Sequence, residues 1–121
     1  MAGLFLKLSG LDKLIKQFPA QKTPTEEFLD KQTIQIGKVR FRRCVTVKVY
    51  RTGLYLQVQT VFSKYPPVLI PWREMQKLQP VKIYGRKAML LGVGTPRLTT
   101  LRLPLRLFDL IVPYLSPNGS V

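Results

Sequence analysis

One stretch near the middle of the chain alternates apolar and polar residues with a period of two. Val39, Phe41, Val45 and Val49 share one parity, while mostly cationic and polar side chains occupy the other. This alternation is typical of an antiparallel strand that buries one face against a core. Arg43 falls on the apolar parity, so we predict a bulge, a break or a sheet edge at that position.

A second strand is predicted directly after this one. Arg51, Thr52 and Gly53 indicate a tight turn, and we expect Gly53 to adopt a positive φ because glycine tolerates that conformation without steric cost. Residues 54–58 then alternate between apolar and polar side chains. The two runs therefore predict a hairpin.

Shorter apolar runs, bounded by glycine and proline, continue towards the C-terminus. They predict strands at 68–70, 81–84, 89–93 and 99–103, one helical turn at 72–75, and turns at 85–87 and 94–96. Pro104 suits the first position of a helix, and Pro113 is expected to end or kink that helix. The core-facing side of this helix is predicted to carry Leu105, Phe108, Val112 and Leu115.

The N-terminal segment has the pattern of an amphipathic helix. Over residues 1–18, apolar side chains recur in steps of three and four, at Leu4, Leu8, Leu11, Ile15 and Phe18. Ser9 is a candidate cap for a shorter helix, and Pro19 is expected to stop the helix. A connector up to residue 32 follows, in which a short helix over 24–30 is predicted from a capping-box pattern.

These elements divide a chain of 121 residues into three parts. Residues 1–32 are expected to hold the N-terminal helix and connector, residues 33–115 one mainly β domain (α+β) closed by a helix, and residues 116–121 a flexible tail. The short strands with alternating polarity favour an antiparallel arrangement.

The charge of the chain is strongly positive and unevenly placed. The formal net charge is +14, and the four cations of residues 1–30 are balanced by four acids. Sixteen Lys and Arg residues lie between Lys31 and Val121, against only Glu74 and Asp109. Such a field favours polyanionic partners.

The residues that most catalytic sites require are scarce. The chain has no histidine and a single cysteine, Cys44, which argues against an internal disulfide or a cysteine-rich metal site. The neighbouring acids Glu26 and Glu27 have no accompanying catalytic constellation. We therefore predict a chain that is not an enzyme and that uses no metal or cofactor.

No apolar run reaches the length needed to span a bilayer, so no transmembrane segment is predicted. Residues 1–7 lack the basic start and the cleavage site of a secretory signal. The expected location is the cytoplasm, including attachment to the cytoplasmic face of a membrane.

Basic residues on and beside the predicted sheet are the candidate anion-binding residues. They are Arg40, Arg42, Arg43, Lys48, Arg51, Lys64, Arg73, Arg86 and Lys87. Tyr50 and Tyr55 share the predicted sheet surface, and stacking on such rings would suit single-stranded nucleic acid. The alternative is that these cations only keep exposed strands soluble and unpaired.

The N-terminal apolar stripe has two interpretations. Its helix either packs on the sheet or lies in a membrane interface. The second interpretation makes Leu4, Phe5, Leu8, Leu11 and Ile15 candidate contacts to a membrane or a partner. For Trp72, packing against the sheet is favoured over a position at an interface.

Two short segments resemble the pleckstrin-homology-like superfold, in particular its bacterial and GRAM-type members. They are Gly53-Leu54-Tyr55-Leu56 and Ile70-Pro71-Trp72-Arg73-Glu74, within a resemblance that covers about residues 33–115. The resemblance implies a partly open antiparallel β-barrel of about seven strands, closed by the C-terminal helix. Such domains bind phosphoinositides, acidic membranes, peptides or proteins and are rarely enzymes. Lipid-binding members use cations of the first hairpin, which here implies Arg42, Arg43, Lys48 and Arg51.

Three kinds of partner are compatible with the sequence. The leading expectation is a non-catalytic adaptor whose basic surface docks on an acidic membrane or a membrane-associated complex. The second is a nucleic-acid-binding protein that uses a basic, tyrosine-bearing sheet. The third is a structural subunit that docks on an acidic protein. The sequence predicts neither the identity of the ligand nor the oligomeric state.

Overall fold

Seven antiparallel strands form one curled sheet in the computed structural model, which describes residues 9–20, 29–61 and 63–115. The strands are β1 (Leu29–Ile36), β2 (Val39–Val49), β3 (Gly53–Val58), β4 (Val68–Pro71), β5 (Met75–Ile83), β6 (Arg86–Val93) and β7 (Thr99–Pro104). Their spatial order is β4-β3-β2-β1-β7-β6-β5, which gives a half-barrel open between β4 and β5. The expected fold class, mainly β with a closing helix, is confirmed.

Strand β1 begins earlier than the sequence pattern predicts. Leu29 already pairs with Val47 of β2, so the end of the helix predicted over 24–30 is wrong, while residues 21–28 lie outside the described part. The hairpin of β2 and β3 is consequently the second hairpin of the sheet. The cations that the resemblance assigns to a first hairpin therefore lie on β2 and on the turn that follows it.

Gly53 is required for a different reason from the predicted one. It lies in β3 without a positive φ and pairs with Pro71 of β4. A Cβ atom at this position would collide with the main-chain oxygen of Ile70. Glycine is thus needed because β3 and β4 approach each other closely.

The hairpin of β5 and β6 has a two-residue turn at Tyr84 and Gly85, one position earlier than predicted. Both residues have positive φ, 50° and 77°, and Ile83 pairs with Arg86 across the turn. This combination is typical of a type I′ turn, whose twist matches that of the flanking strands. As a result, Arg86 and Lys87 begin strand β6 and do not belong to the turn.

The short helix α1 (Leu11–Gln17) packs into the core of the sheet. Its main-chain start is fixed by Ser9, whose Oγ accepts a hydrogen bond from Leu11 N at 3.0 Å. Gly37, in the turn between β1 and β2, has a φ of 58° and passes so close to Ser9 that a Cβ would lie 2.5 Å from the Ser9 oxygen. Helix α1 therefore belongs to the same core as the β domain, although the sequence pattern assigns it to a separate N-terminal part.

A short stretch after α1 continues the sheet beyond β4. Leu69 N donates a hydrogen bond to Phe18 O at 2.9 Å, and Ala20 N donates to Pro67 O at 3.1 Å. Pro19 lies between them as a bridge partner of Val68, and it follows directly after the helix, as predicted. The outer edge of β4 is thus paired with the chain that leaves α1.

Helix α2 (Leu105–Ile111) follows β7 and continues into a 3₁₀ turn, Val112–Tyr114. Leu107, Phe108 and Ile111 are buried, whereas Leu105 and Val112 are exposed. The predicted core-facing side is therefore wrong for Leu105 and Val112. Most positions of this helix are apolar, so their spacing does not define a single face.

Trp72 joins the closing helix to the sheet. It opens the 3₁₀ turn Trp72–Glu74, as predicted, and packs against the core. Its Nε1 donates to Tyr50 O at 3.0 Å and to Arg51 O at 3.1 Å. Its ring stacks on that of Tyr114 with the centroids 5.1 Å apart, so the end of α2 is held next to the turn between β2 and β3.

Candidate anion-binding cleft

An open cleft of about 760 Å³ lies where the middle of β2, the β5–β6 turn and the start of α2 meet. Five cationic side chains line it, and we call this group the basic cleft: Arg42, Arg43, Arg86, Lys87 and Arg106. Thr33, Ile83, Tyr84, Pro104 and Leu105 complete the lining. Four of the nine sequence-predicted anion-binding residues, Arg42, Arg43, Arg86 and Lys87, thus lie together.

Two consecutive arginines of β2 reach the cleft because the strand is irregular. Arg43 has a φ of 53°, and its main-chain N donates to Thr33 Oγ1 at 3.0 Å. The pairing register between β1 and β2 shifts at the neighbouring Gln32 and Ile34. In a regular strand, successive side chains point to opposite faces, but here Arg42 and Arg43 are both exposed and line one cleft. The irregularity predicted from Arg43 is confirmed.

Tyr84 forms the aromatic part of the cleft. It is 52% exposed at the tip of the β5–β6 hairpin. The guanidinium carbon of Arg40 lies 5.0 Å from the centre of its ring, and that of Arg42 lies 5.6 Å away. Both distances fall within the range of cation–π attraction. Arg40 is thereby held beside the cleft, although it does not line it.

Arg106 enters the cleft from the first turn of α2. Its Nη2 donates to Gln32 Oε1 at 2.8 Å, which connects the helix to β1. One guanidinium group has five N–H donors in a planar fork, so this single bond leaves donors for an anion. Among the described residues, Arg106 does not form an ion pair with Asp109.

Among the described residues that line the cleft, none is acidic. Where two described residues form an ion pair, the partners are Arg73 and Glu74, with Arg73 Nε 3.9 Å from Glu74 Oε2. The positive charges of the cleft are therefore not neutralised by carboxylates of the described chain. Several like charges around one concave surface raise the local concentration of anions.

The remaining predicted anion-binding residues lie outside the cleft. Lys48 Nζ is 5.8 Å from the ring centre of Tyr50, towards the other end of β2. Arg51 is in the following turn, and Lys64 is the bridge partner of Gln59. Arg73 pairs with Glu74. The sequence pattern predicts Arg42 and Lys48 on one face of the same strand, and the structure places only Arg42 in the cleft.

Two residues of the cleft were missed by sequence reasoning. Arg106 falls within the predicted helix but not among the predicted anion-binding residues, because nothing in the sequence shows that the start of α2 faces β2 and β6. The sequence pattern predicts that Tyr84 is a strand residue. The dipeptide Tyr84-Gly85 before Arg86-Lys87 is a weak turn signal that could have moved the turn by one position.

The predicted apolar contact stripe is only partly described. Leu11 is 1% exposed and Ile15 is packed against the core, so neither presents a free apolar surface. Leu4, Phe5 and Leu8 lie outside the described residues. The packing interpretation holds for α1, and the interfacial interpretation is wrong for Leu11.

The structure removes one of the two tyrosines that were candidates for stacking on nucleotide bases. Tyr55 is 1% exposed, and its ring meets Tyr50 edge-on with the centroids 6.3 Å apart. Burial, reinforced by Tyr50, raises the pKa of Tyr55 above its ordinary value. A buried ring cannot stack on a nucleotide base, so Tyr55 is excluded as a platform.

Cys44 is half-buried beside the core, and burial raises the pKa of its thiol. A raised pKa lowers the fraction of reactive thiolate near neutral pH. Within residues 9–20, 29–61 and 63–115, no three His, Cys, Asp or Glu side chains are grouped so as to hold a metal ion. Across the same residues, no helix has the length and apolar character that a membrane crossing requires.

No protein-family model, curated protein or solved structure matches this chain. The functional argument therefore depends on the geometry and charge of the cleft.

Proposed function

We propose that this chain is a non-catalytic docking module of pleckstrin-homology-like type that binds acidic membrane surfaces through the basic cleft. The observation that carries the proposal is a concave site where five cationic side chains, and no acidic one, line the part that the structure describes. Phosphate groups of anionic lipids are the ligands that such a site would hold. The seven antiparallel strands and the closing helix support the assignment to this type, because the resemblance implies both features.

The mixture of cations in the cleft suits a phosphate-rich surface. Arginine presents a planar fork of donors that matches phosphate oxygens, and lysine adds a compact point charge. Arg42, Arg43 and Arg106 come from three separate backbone positions on β2 and α2, so several phosphates can be met at once. Each Lys or Arg near an anionic leaflet contributes about 1 kcal/mol of binding free energy.

Attachment by these charges would place the protein at the periphery of a membrane, with the cytoplasmic leaflet as the proposed target. That leaflet carries the negative surface potential to which basic segments respond. The unbalanced charge of +14 supports the same proposal, because a protein of this charge is drawn to anionic surfaces before any specific contact forms.

Vesicle flotation tests the proposal. Nuclease-treated protein is mixed with vesicles of phosphatidylcholine alone or with phosphatidylserine, at roughly 50 and 200 mM salt, where exposed charges are screened to different extents. We expect flotation with the anionic vesicles only. The double variant Arg42→Gln and Arg86→Gln should lower the partition coefficient by about 30-fold, since two cations are lost.

A matched control removes the same charge at a distance from the cleft. The double variant Arg51→Gln and Lys64→Gln changes two exposed cations that do not line the cleft. Its loss of binding should be several times smaller. If the natural protein fails to float with anionic vesicles, membrane docking is wrong; if both double variants lose the same amount, the cleft is not the site.

Binding of single-stranded nucleic acid is the second candidate, and the exposed ring of Tyr84 favours it. A base stacked on this ring would lie next to Arg40 and Arg42. This function predicts a log–log salt slope of about −0.7 for each phosphate neutralised. It also predicts that Tyr84→Ala costs about 1–3 kcal/mol of binding free energy per stacked base. Tighter binding to single-stranded RNA than to anionic vesicles would favour this candidate.

A further inference from the structure

Helix α2 and the first residue of the 3₁₀ turn that follows it carry aliphatic side chains that face away from the core. Leu105, Leu110 and Val112 are 38%, 51% and 45% exposed, respectively. The side of α2 that faces the core carries Leu107, Phe108 and Ile111, which are buried. The packing of α2 against the sheet therefore does not account for the three outward residues.

This outward surface is continuous with the basic cleft. Leu105 lines the cleft and also lines a neighbouring depression of about 460 Å³. Arg106 and Leu110 are four positions apart, so they lie on the same side of the helix. The apolar side chains thus begin at the place where the cations of the cleft end.

The depression has an apolar floor and a cationic rim. Pro80, Val81, Ala88 and Met89 line it together with Leu105, while Lys82 and Lys87 provide the charge. Lys87 is shared with the basic cleft. Apolar and cationic groups therefore lie side by side on one connected surface, and no described residue that lines either concavity is acidic.

We propose that the outward side of α2 enters the headgroup boundary of an anionic bilayer while the basic cleft binds the lipid phosphates. This inference rests on the proposed function and adds the part of the protein that makes apolar contact with the lipid. The occupant is identified by its chemistry, since an anionic bilayer offers phosphates and hydrocarbon within a few ångströms of each other.

The length of α2 is compatible with a shallow position. Seven residues of α-helix measure about 10 Å, which suits the headgroup boundary and not the full hydrocarbon core of about 30 Å. Asp109 lies between Leu105 and Leu110 on the exposed side and opposes an anionic surface. One carboxylate on this side is outnumbered by Arg106 on the same helix and by Lys82 and Lys87, which line the depression.

The combination of charge and apolar contact predicts two separable components of binding. Salt weakens the contribution of exposed charges, whereas burial of apolar side chains persists. In flotation with phosphatidylserine vesicles, the double variant Leu105→Ser and Leu110→Ser should lose roughly tenfold in partition coefficient at about 200 mM salt. At about 50 mM salt, where attraction between charges is stronger, most of the binding should remain.

A matched control replaces exposed aliphatic residues elsewhere. Leu29 and Val61 are 38% and 94% exposed, and neither lines the cleft or the depression. The double variant Leu29→Ser and Val61→Ser should retain the binding of the natural protein at both salt concentrations. If it loses as much as the α2 variant, or if the α2 variant loses nothing, insertion of α2 is wrong while docking through the cleft still stands.

A spectroscopic measurement tests the contact directly. An environment-sensitive dye is attached to Leu110→Cys in a Cys44→Ala background, and the comparison protein carries it at Lys64→Cys. We expect a blue shift on anionic vesicles for the dye at position 110 and none at position 64. An unchanged spectrum at position 110 in protein that floats would overturn the proposal.

Other occupants of the same surface give different results. A second copy of the chain would produce a dimer in sedimentation that the Leu105→Ser and Leu110→Ser variant dissociates. Single-stranded RNA would shift the dye at position 110 without vesicles. Either result would assign the outward side of α2 to another partner and contradict the proposal. Failure of the natural protein to float would instead reject the proposed function itself.

Discussion

The two helices of the described chain have the same length of seven residues but opposite relations to the core. In α1, Leu11 and Leu14 are fully buried, and the exposed positions are mainly polar. In α2, one side of the helix packs against the core, and exposed aliphatic residues lie on the other side. The helix with a clear amphipathic stripe therefore buries its apolar residues, whereas the helix without a clear stripe leaves several of them exposed.

The largest expected difference between the helices concerns stability. Leu14 is 0% exposed, so Leu14→Ala should lower the free energy of unfolding by about 2–5 kcal/mol. Leu110 is 51% exposed, and Leu110→Ala should lower it by about 1 kcal/mol or less. Urea unfolding of the two variants measures both values. Equal losses would mean that α2 is packed as fully as α1.

A smaller difference is expected at the starts of the helices. Ser9→Ala removes the hydroxyl that accepts from Leu11 N and should cost about 1 kcal/mol of stability. Helix α2 follows Pro104, which offers no side-chain hydrogen bond. Pro104→Ala should therefore cost less than Ser9→Ala in the same urea titration. A larger loss from Pro104→Ala would indicate that the fixed φ of proline matters more than a capping bond.

The smallest expected effect is a dependence of the free energy of unfolding on pH, and it arises from residues outside both helices. Burial raises the pKa of Cys44, so above about pH 8.5 the unfolded chain loses the thiol proton while the folded chain retains it. The unfolded state then binds fewer protons, and the free energy of unfolding falls as pH rises. Tyr55, with its raised pKa, extends the decline above about pH 10.

Urea titrations between about pH 7.5 and 9.5 measure this first decline, over the range where an ordinary thiol ionises. Cys44→Ala should flatten it, whereas Leu110→Ala should leave its slope unchanged because α2 contains neither titrating group. A slope that persists in Cys44→Ala would assign the decline to other residues.

The fold was predictable where local patterns and local contacts agree. The alternation in β2, the break at Arg43 and the strand at Val68 all appear in the structure at the expected places. The start of β1 was missed because Leu29, Asp30 and Lys31 do not alternate in polarity. Their strand conformation is imposed by pairing with β2, which a local pattern does not contain.

The candidate site was predictable in residue type but not in arrangement. Exposed cations on β2 and near the β5–β6 turn follow from the sequence, and Arg42, Arg43, Arg86 and Lys87 do meet. The sequence does not show that β7 lies between β1 and β6, which brings the start of α2 to the same cleft. Arg106 joins the site through this long-range topology, whereas Lys48 is left out because it lies towards the other end of β2.

The outer strands of the half-barrel have different protection against pairing with other chains. Along β4, the main chain of residues 18–20 supplies hydrogen-bonding partners, so that edge is already occupied. The other outer strand, β5, carries Pro80 and the exposed cations Lys77 and Lys82, features that discourage another strand from joining. Without such features, an open sheet would be liable to fibril-like assembly at both edges. The segment after α1 therefore protects the edge of β4 from pairing with other chains, and it also anchors the helix to the sheet.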